Sequence, residues 1–189
     1  MSAQDSKLFV ISGPSGAGKG TLVTRVRERR SNLGLTVSAT TRAPRKGEVD
    51  GVNYFFLTRE EFDRRVANGE FVEWAEVHGN CYGTLVSEVK SKLASGSSLI
   101  LEIDVQGALQ VKERFPEAVL IFIKPPSLEV LRERLVGRGT ETPETIELRM
   151  ANAADELALA DRYDDVVVND DLDRATDELV RVLDMHERI

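Results

Sequence analysis

The sequence predicts an α/β domain in which a parallel sheet is flanked by helices and carries an inserted mixed or antiparallel subdomain and a short lid. Three observations support this fold class. The apolar stretch Leu8–Ile11 leads directly into a glycine-rich loop and then into a helix. Further apolar stretches alternate with helical segments, which is typical of buried parallel strands. Residues 38–93, in contrast, contain short alternating stretches and few long helices.

Strands are predicted where short apolar or alternating stretches lie between turn residues. They are Leu8–Ile11, Leu35–Ala39, Tyr54–Leu57, Phe71–Val77, Leu99–Asp104, Val119–Ile123 and Val166–Val168. The first and the last three are the most continuously apolar, so they are expected to form the parallel sheet.

Capping residues mark the helix ends. Thr58 and Glu61 form a capping box, and Gly69 is the expected stop of the helix that they open. Pro143 stands at a first-turn position behind Thr142. The predicted helices are Leu22–Arg30, residues 59–68, Gly107–Phe115, Leu128–Val136, residues 143–160 and Leu172–His186.

One domain is expected to account for the chain, because 189 residues with 41% hydrophobic side chains suit a single α/β core with small insertions. The core is predicted at about residues 5–37, 94–127 and 160–189, the insert at about 38–93 and the lid region at about 128–159. Within the lid region, residues 137–142 are too polar and glycine-rich for a core and predict a mobile loop.

Composition narrows the function classes. The net charge of −7 argues against a broad nucleic-acid-binding face. The single cysteine, Cys81, cannot form an internal disulfide, and two distant histidines make no zinc site. No apolar stretch approaches the ~20 residues of a membrane span, and residues 1–7 do not resemble a signal peptide. A cytoplasmic protein without membrane or nucleic-acid partners is therefore expected.

The glycine-rich loop at residues 13–21 (Gly-Pro-Ser-Gly-Ala-Gly-Lys-Gly-Thr) predicts a phosphate cradle. Glycines let consecutive backbone N–H groups point at one anion, and the following helix adds its positive N-terminal end. Lys19 stands where a P-loop lysine reaches the β- and γ-phosphates. A turn that contains a lysine by chance is the alternative; the strand before the loop and the helix after it favour the cradle.

One position departs from the P-loop pattern. Gly20 follows the lysine where a Ser or Thr hydroxyl usually binds Mg²⁺, and the hydroxyl comes one residue later, at Thr21. The order Gly-Lys-Gly-Thr resembles the loop of adenylate kinases. Which residue meets the metal is therefore left open by the sequence.

The loop around Arg42 and Arg45 predicts an anion-binding arm. Its two arginines are three residues apart in a proline-stiffened segment, and Tyr54 follows with a phenol. A phosphate accepts bidentate guanidinium contacts, and a phenol adds another donor. Taken alone, the loop is better interpreted as a solvated basic turn, because a run of charged residues usually lies at the surface.

Three carboxylates in strands are candidates for a binding role. Strand alternation puts Glu73 on the same face as Phe71, where a carboxylate either pairs with a cation or accepts from a ligand. Taken alone, Glu73 is predicted to face solvent. Residues 78–84 predict a turn that carries a phenol and a hydroxyl. Glu102 and Asp104 end an apolar core strand, where α/β sheets bind ligands and where a P-loop protein can hold Mg²⁺ through water. Asp104 could instead be a helix N-cap, and both roles can coexist.

Three arginines flank the polar lid loop. Arg134 and Arg138 share one helix face, and Arg149 lies in the following helix. Three cations beside a hinged loop suit charge neutralisation over a polyphosphate. The alternative is ordinary ion pairing with Glu133, Glu141 or Glu144.

Together these residues resemble the guanylate kinase family, whose members transfer a phosphoryl group from ATP to GMP. The resemblance extends from Leu8 to about Leu183, and Gly20 is its one departure. It is carried by residues 11–19, 38–45, 47–54, 73–74, 82–84, 103–107, 138–141 and 168–170. It implies a P-loop kinase core, a GMP-binding insert and a lid that closes during phosphoryl transfer.

The resemblance also implies roles for individual residues. ATP-binding residues would be Gly13, Pro14, Ser15, Gly16, Ala17, Gly18, Lys19, Gly20, Thr21 and, near the adenine, Asn169. GMP would be bound by Arg42, Arg45, Tyr54 and Tyr82 at the phosphate, and by Glu73, Ser38, Thr84 and Asp104 at the base. The catalytic cations would be Lys19, Arg42, Arg134, Arg138 and Arg149. Mg²⁺ would be held by the ATP phosphates, with Thr21, Glu102 or Asp104 reaching it through water.

Two rival functions stay open at this stage. A non-enzymatic guanylate-kinase-like binding module typically has a damaged P-loop, whereas Gly13, Gly18 and Lys19 are intact here. The other rival is a P-loop kinase that acts on another nucleoside monophosphate. The resemblance also implies dGMP as an acceptor, and the sequence does not give the oligomeric state.

Overall fold

The computed structural model describes residues 6–77, 79–137, 139 and 142–187. The strands are β1 (Leu8–Ser12), β2 (Gly34–Leu35), β3 (Ala39–Thr40), β4 (Phe55–Phe56), β5 (Phe71–Val77), β6 (Asn80–Leu85), β7 (Leu99–Glu102), β8 (Val119–Lys124) and β9 (Asp165–Val168). The helices are α1 (Lys19–Arg29), α2 (Arg59–Ala67), α3 (Val86–Ala94), α4 (Val105–Arg114), α5 (Leu128–Gly137), α6 (Pro143–Leu157) and α7 (Leu172–Glu187). A 3₁₀ turn spans Ala160–Arg162.

A parallel five-stranded sheet in the order β2-β7-β1-β8-β9 forms the centre of the protein. Alternate residues of β1 point to opposite faces. Phe9 and Ile11 pack in one core layer with residues of α1 and α7, while Leu8 and Val10 pack in the other with α4. The predicted parallel sheet flanked by helices is therefore confirmed.

A second, mixed sheet in the order β4-β3-β6-β5 lies within the predicted insert. Strands β3 and β4 are parallel, and the β3–β6 and β5–β6 pairs are antiparallel. Helix α2 covers this sheet, because the fully buried Phe62 stacks on Phe71 with the ring centroids 4.3 Å apart. The Thr58 side chain caps α2 by accepting from the Glu61 N–H, as the capping box predicts.

Three expectations about the elements of this region were wrong. The single strand predicted at Leu35–Ala39 is divided between β2 in the core sheet and β3 in the second sheet, because the chain crosses between the sheets there. Most of the turn predicted at residues 78–84 is strand β6. Its backbone forms hydrogen bonds with β5 on one side and with β3 on the other. His78, which the same prediction included, lies outside the described residues. Helix α3 was not predicted.

Helix boundaries also differ from expectation. Helix α1 begins at Lys19, three residues before the predicted Leu22. Helix α4 begins at Val105, two residues before the predicted Gly107, because the Asp104 side chain caps it. Helix α6 ends at Leu157, and the chain continues as the 3₁₀ turn. Of the predicted lid loop between Gly137 and Thr142, the structure describes only Gly139, so the mobility of this loop stays a prediction. Within the described ranges, no helix has both the length and the apolar character needed to cross a membrane.

Ion pairs join α1 to the C-terminal helix α7. Arg25 pairs with Asp173 at the exposed end, while Arg30 contacts Asp184 and the buried Glu187. Because Glu187 is only 7% exposed, Arg30→Ala should leave a buried carboxylate unpaired and lower the free energy of unfolding by about 3 kcal/mol. Urea denaturation measures the loss. Arg25→Ala is the matched control, with an expected loss below about 1 kcal/mol; equal losses would contradict the prediction.

Candidate nucleotide-binding site

The phosphate cradle is formed where β1 ends at the carboxyl edge of the central sheet. Gly13 has a φ of +143°, and a Cβ there would lie 2.2 Å from the Ile123 carbonyl oxygen, so no other residue fits. Lys19 begins α1 and donates from Nζ to the carbonyl oxygens of Gly13 (2.6 Å) and Pro14 (3.2 Å). The loop therefore curls around the lysine, at the positive end of α1.

Asn169 fixes the opposite wall of the loop. Its buried side-chain Nδ2 donates to the Ala17 carbonyl oxygen at 2.8 Å. Gly18 leaves room for this contact, because a Cβ there would lie 2.4 Å from Nδ2. Arg134 in turn donates to the Asn169 carbonyl at 2.8 Å. Beside them is a cleft of about 490 Å³ that Gly16, Gly18, Thr21, Arg134 and Asn169 help to line.

The lid arginines that the structure describes contact the loop. Arg134 donates to backbone carbonyls of the loop and of residue 169, and it forms no ion pair with Glu133 or Glu144. Glu141, the third partner of the ion-pair alternative, lies outside the described residues. Arg149, on α6, donates to the Ser15 hydroxyl. Arg138 lies outside the described residues. Two of the three predicted lid cations are thus brought to the cradle from separate helices.

Glu102 faces the position where the P-loop hydroxyl is missing. A Cβ on Gly20 would lie 3.4 Å from Glu102 Oε1, so the carboxylate lies next to the first turn of α1. Burial raises the pKa of Glu102, and the charge of Lys19 partly offsets that rise. Glu156 of α6, which sequence reasoning missed, has a pKa raised by burial and is also influenced by Lys19. The carboxylate groups of Glu102 and Glu156 therefore lie in the electrostatic range of the cradle lysine.

The predicted anion-binding arm is partly buried at Arg42, whereas residues 43–47 are exposed. The side chain of Arg42 is 15% exposed, and its guanidinium lies 5.4 Å from the centroid of the Tyr54 ring. Its Nη2 donates to Glu48 at 2.9 Å, and this hydrogen bond is the main cause of a raised Arg42 pKa. The Tyr54 and Tyr82 rings meet edge to face at 6.2 Å. Arg45 is exposed, and its guanidinium makes no hydrogen bond or ion pair within the part of the chain that is described.

A β-bulge changes the face on which Glu73 lies. The register between β5 and β6 shifts between Phe71 and Glu73. As a result Phe71 and Trp74 both contact Phe62 of α2, whereas Val72 packs in the core layer of α4. The prediction that Glu73 shares a face with Phe71 was wrong, because strict alternation does not survive a bulge.

Glu73 is buried. The prediction that it faces solvent, made from this residue taken alone, was wrong. Glu73 is 9% exposed, and burial raises its pKa. The nearby Thr84 partly offsets the rise, and the charge of Asp104 adds to it. Thr84 Oγ1 is also buried, and it has no hydrogen-bond partner among the described residues. A buried carboxylate thus lies beside a buried hydroxyl that has no partner among the described residues, and a polar ligand could satisfy that hydroxyl.

Asp104 and Glu73 meet at the start of α4. Asp104 Oδ1 accepts from the Gly107 N–H at 2.7 Å, so the N-cap interpretation is correct. A Cβ on Gly107 would lie 3.4 Å from Glu73 Oε2 and 3.5 Å from Asp104 Oδ1. A Cβ at residue 107 would thus be in van der Waals contact with both carboxylates, and its nearest neighbour would be Ile103 Cδ1 at 3.3 Å. Ser38, half-buried just before β3, accepts through its carbonyl from the Phe55 N–H.

Gly107→Ala tests this close approach. The added methyl group would contact the Ile103 side chain and occupy space beside the Glu73 and Asp104 carboxylates, while the helix is preserved, since alanine favours helix. We expect the KM for the ligand that binds beside Glu73 to rise about tenfold. The KM for ATP should change little. Steady-state kinetics against both ligands measures the change. Gln110→Ala, at an exposed position of the same helix, is the control for a substitution in α4; unchanged kinetics in Gly107→Ala would contradict the prediction.

The two halves of the site are adjacent. Glu102 faces the cradle, and Asp104, two residues further on, faces Glu73. A glycine-rich phosphate cradle at the end of β1, next to a polar site on an inserted sheet, defines a P-loop enzyme that acts on nucleotides.

Comparison with known proteins narrows this class. The guanylate kinase family model matches residues 5–186. The chain is 52% identical to the guanylate kinase of Halalkalibacterium halodurans, over 97% of this chain and 90% of the relative. It is 57% identical to that of Gloeobacter violaceus, over 94% of this chain and 87% of the relative. The crystal structure of guanylate kinase from Anaplasma phagocytophilum matches with a TM-score of 0.73 and 36% identity, over 97% of this chain and 87% of the other. The chain belongs to the guanylate kinase family.

Proposed function

We infer that this protein transfers the γ-phosphoryl group of ATP to GMP and produces ADP and GDP. Guanylate kinase relatives at 52% and 57% identity support this activity. The observation that carries the choice of acceptor is the buried Glu73, which lies beside Asp104 and beside the buried Thr84 hydroxyl that has no partner among the described residues.

Guanine fits the chemistry of Glu73 better than the other bases. Its N1–H and 2-amino groups are adjacent donors that one carboxylate can accept together. Adenine has no such donor pair, so Glu73 would stay desolvated and unpaired against it, and a site of this kind rejects the wrong ligand strongly. Thr84, Asp104 and Ser38 would complete the base site.

The GMP phosphate would bind at the arm of the insert. Arg42, already held over Tyr54, and the exposed Arg45 supply guanidinium donors. The hydroxyls of Tyr54 and Tyr82 add two further donors from the pair of rings that meet there. A phosphate in this place would be neutralised by groups from one loop and two strands.

The transfer needs no covalent intermediate on the protein. In-line displacement spreads negative charge over the moving phosphoryl group, so catalysis consists mainly of positioning and cations. Lys19 would hold the donor phosphates, while Arg134, Arg138 and Arg149 would neutralise charge over the transfer region. Lid closure would exclude water and limit ATP hydrolysis. Asn169, which lines the cleft beside the loop, would lie near the adenine.

The residues around Gly20 fit a divalent cation that is shared with ATP. Glu102 points toward this position, where no side chain intervenes, and Thr21 is exposed one residue further on. We propose Mg²⁺, an oxygen-preferring cation, with Glu102 as its main protein contact through water and Thr21 or Asp104 in support. When bound, it supplies positive charge to the β- and γ-phosphates.

The experiment that tests this function measures ADP release with ATP–Mg²⁺ and GMP, AMP, CMP or UMP in turn. Rapid turnover with GMP alone is expected. Turnover with AMP or a pyrimidine nucleotide would keep the P-loop kinase but contradict the base site. If the folded protein turned over none of these acceptors, the result would favour a non-enzymatic binding module. Neither the structure nor the relatives support that alternative.

Two finer properties belong to the same proposal. The contacts that we propose for the acceptor involve its base and phosphate, so dGMP, which differs at the ribose, should also be phosphorylated. A cytoplasmic location follows from the expected substrates, ATP and GMP.

A further inference from the structure

We propose that Glu48 is a positioning residue that braces the two phosphate-binding arginines of the insert, so that the acceptor phosphate meets a preformed site. This inference rests on the proposed function, because it concerns how the acceptor site is built. Neither the sequence motifs nor the expected roles of their residues assign any task to the Glu48 side chain.

Both oxygens of the Glu48 carboxylate are used, and each contacts a different arginine. Oε1 accepts from Arg42 Nη2 at 2.9 Å, and Oε2 accepts from the Arg45 backbone N–H at 2.6 Å. The Glu48 N–H donates back to the Arg45 carbonyl at 3.0 Å. Residues 45–48 thus form a turn that is closed through both the backbone and the side chain of its last residue, and Gly47 supplies the positive φ of +89°.

Glu48 does not use up the donors of Arg42. A guanidinium has five N–H groups in a fixed planar arrangement. Arg42 gives one to Glu48 through Nη2 and one to the Ala43 carbonyl through Nη1, at 2.7 Å. The Tyr82 phenol is also close enough to raise the Arg42 pKa, and within the described residues the remaining N–H groups can face a phosphate. The carboxylate and the phosphate can therefore bind the same guanidinium together, which makes Glu48 a brace rather than a competitor for the site.

The brace holds the guanidinium in one orientation. Arg42 lies between its hydrogen bond to Glu48 and the rings of Tyr54 and Phe56, whose centroids are 5.4 and 5.9 Å away. The Arg42 backbone N–H is also held, by Thr40 Oγ1 at 3.1 Å. The hydrogen bond from Arg42 is the largest cause of a lowered Glu48 pKa, so the carboxylate is ionised. Fixing a long side chain before binding reduces the entropy lost when the ligand arrives.

Glu48→Gln tests the proposal with little change of shape. A glutamine side chain has one oxygen, so it can accept from Arg42 or from the Arg45 N–H, and its amide nitrogen then faces the other donor. We expect the affinity for GMP to fall tenfold to about a hundredfold. Guanosine lacks the phosphate, so its affinity should stay the same. Calorimetry measures GMP binding, and an NMR titration measures the weaker binding of guanosine.

Glu61→Gln is the matched control. Glu61 also accepts from two arginines of the insert, Arg64 and Arg65, but it lies on α2. The Glu61→Gln substitution should leave the affinity for GMP unchanged. Thermal unfolding of each variant shows whether the fold is retained.

The outcomes separate this inference from the proposed function. If wild-type protein phosphorylates GMP but Glu48→Gln binds GMP as well as wild type, or more tightly, the brace is wrong and the function stands. An equal loss of GMP and guanosine affinity would also overturn it, because the effect would then not act through the phosphate. If wild-type protein does not phosphorylate GMP, the proposed function fails, whatever the variant does.

Discussion

Lys19→Ala should lower the rate of phosphoryl transfer at least a hundredfold, about what the loss of one charged donor to a developing transition state removes. Lys19 is the cation at the start of α1, and its ammonium lies among the carbonyl oxygens of the loop that it would share with the donor phosphates. Single-turnover kinetics with GMP and ATP–Mg²⁺ measure the change. The fold should survive, because the core layers on both faces of the sheet do not include this side chain.

Lys90→Ala is the control for the loss of a lysine. Lys90 is exposed on α3, away from the cradle, and its removal should leave turnover unchanged. Circular dichroism shows whether each variant is folded. Wild-type turnover by folded Lys19→Ala would mean that the loop does not act as a catalytic phosphate cradle in this protein.

Glu73→Gln should lower kcat/KM for GMP by about a hundredfold or more, while the KM for ATP changes little. The amide can accept one of the two guanine donors, but its own NH₂ group then opposes the other. Competition between GMP and AMP as acceptors measures the loss of selectivity directly. Glu76→Gln, on the same strand with an exposed side chain, is the matched control. Equal loss for GMP and ATP would show that Glu73 does not act at the base site.

The same substitution should stabilise the protein at neutral pH. Burial raises the pKa of Glu73, so the folded state binds this proton more tightly than the unfolded state does. The free energy of unfolding therefore falls as the pH rises from the ordinary range of a glutamate through the raised pKa. A glutamine side chain carries no charge and has no such penalty, so the variant should unfold at a higher temperature than wild type at pH 7 and lose that advantage in acid. A lower melting temperature at pH 7 would contradict this.

The acceptor site shows where sequence reasoning reaches its limit. The P-loop was predictable because its residues are contiguous, and a strand, three glycines and a lysine leave few other conformations. The acceptor residues come from separate segments, and only the family resemblance grouped them. Glu73 taken alone was misinterpreted, since the bulge that turns it toward α4 depends on pairing with β6. Gly107 and Glu48 lie in motifs that carry the resemblance, but no site role was predicted for either, because their roles depend on contacts with Glu73 and Arg42.

The sequence alone determined the elements whose signals are local. Apolar stretches specified four of the five strands of the parallel sheet, the Thr58–Glu61 box specified the start of α2, and the glycines specified the cradle. Tertiary structure alone decided which polar side chains are buried away from solvent. The burial of Glu73 and Thr84, the wedging of Arg42 against Tyr54 and the insertion of Asn169 beside the loop all depend on residues distant in the chain. The free energy of a charge or hydroxyl depends on the solvent and partners around it, and those are fixed only when the chain has folded.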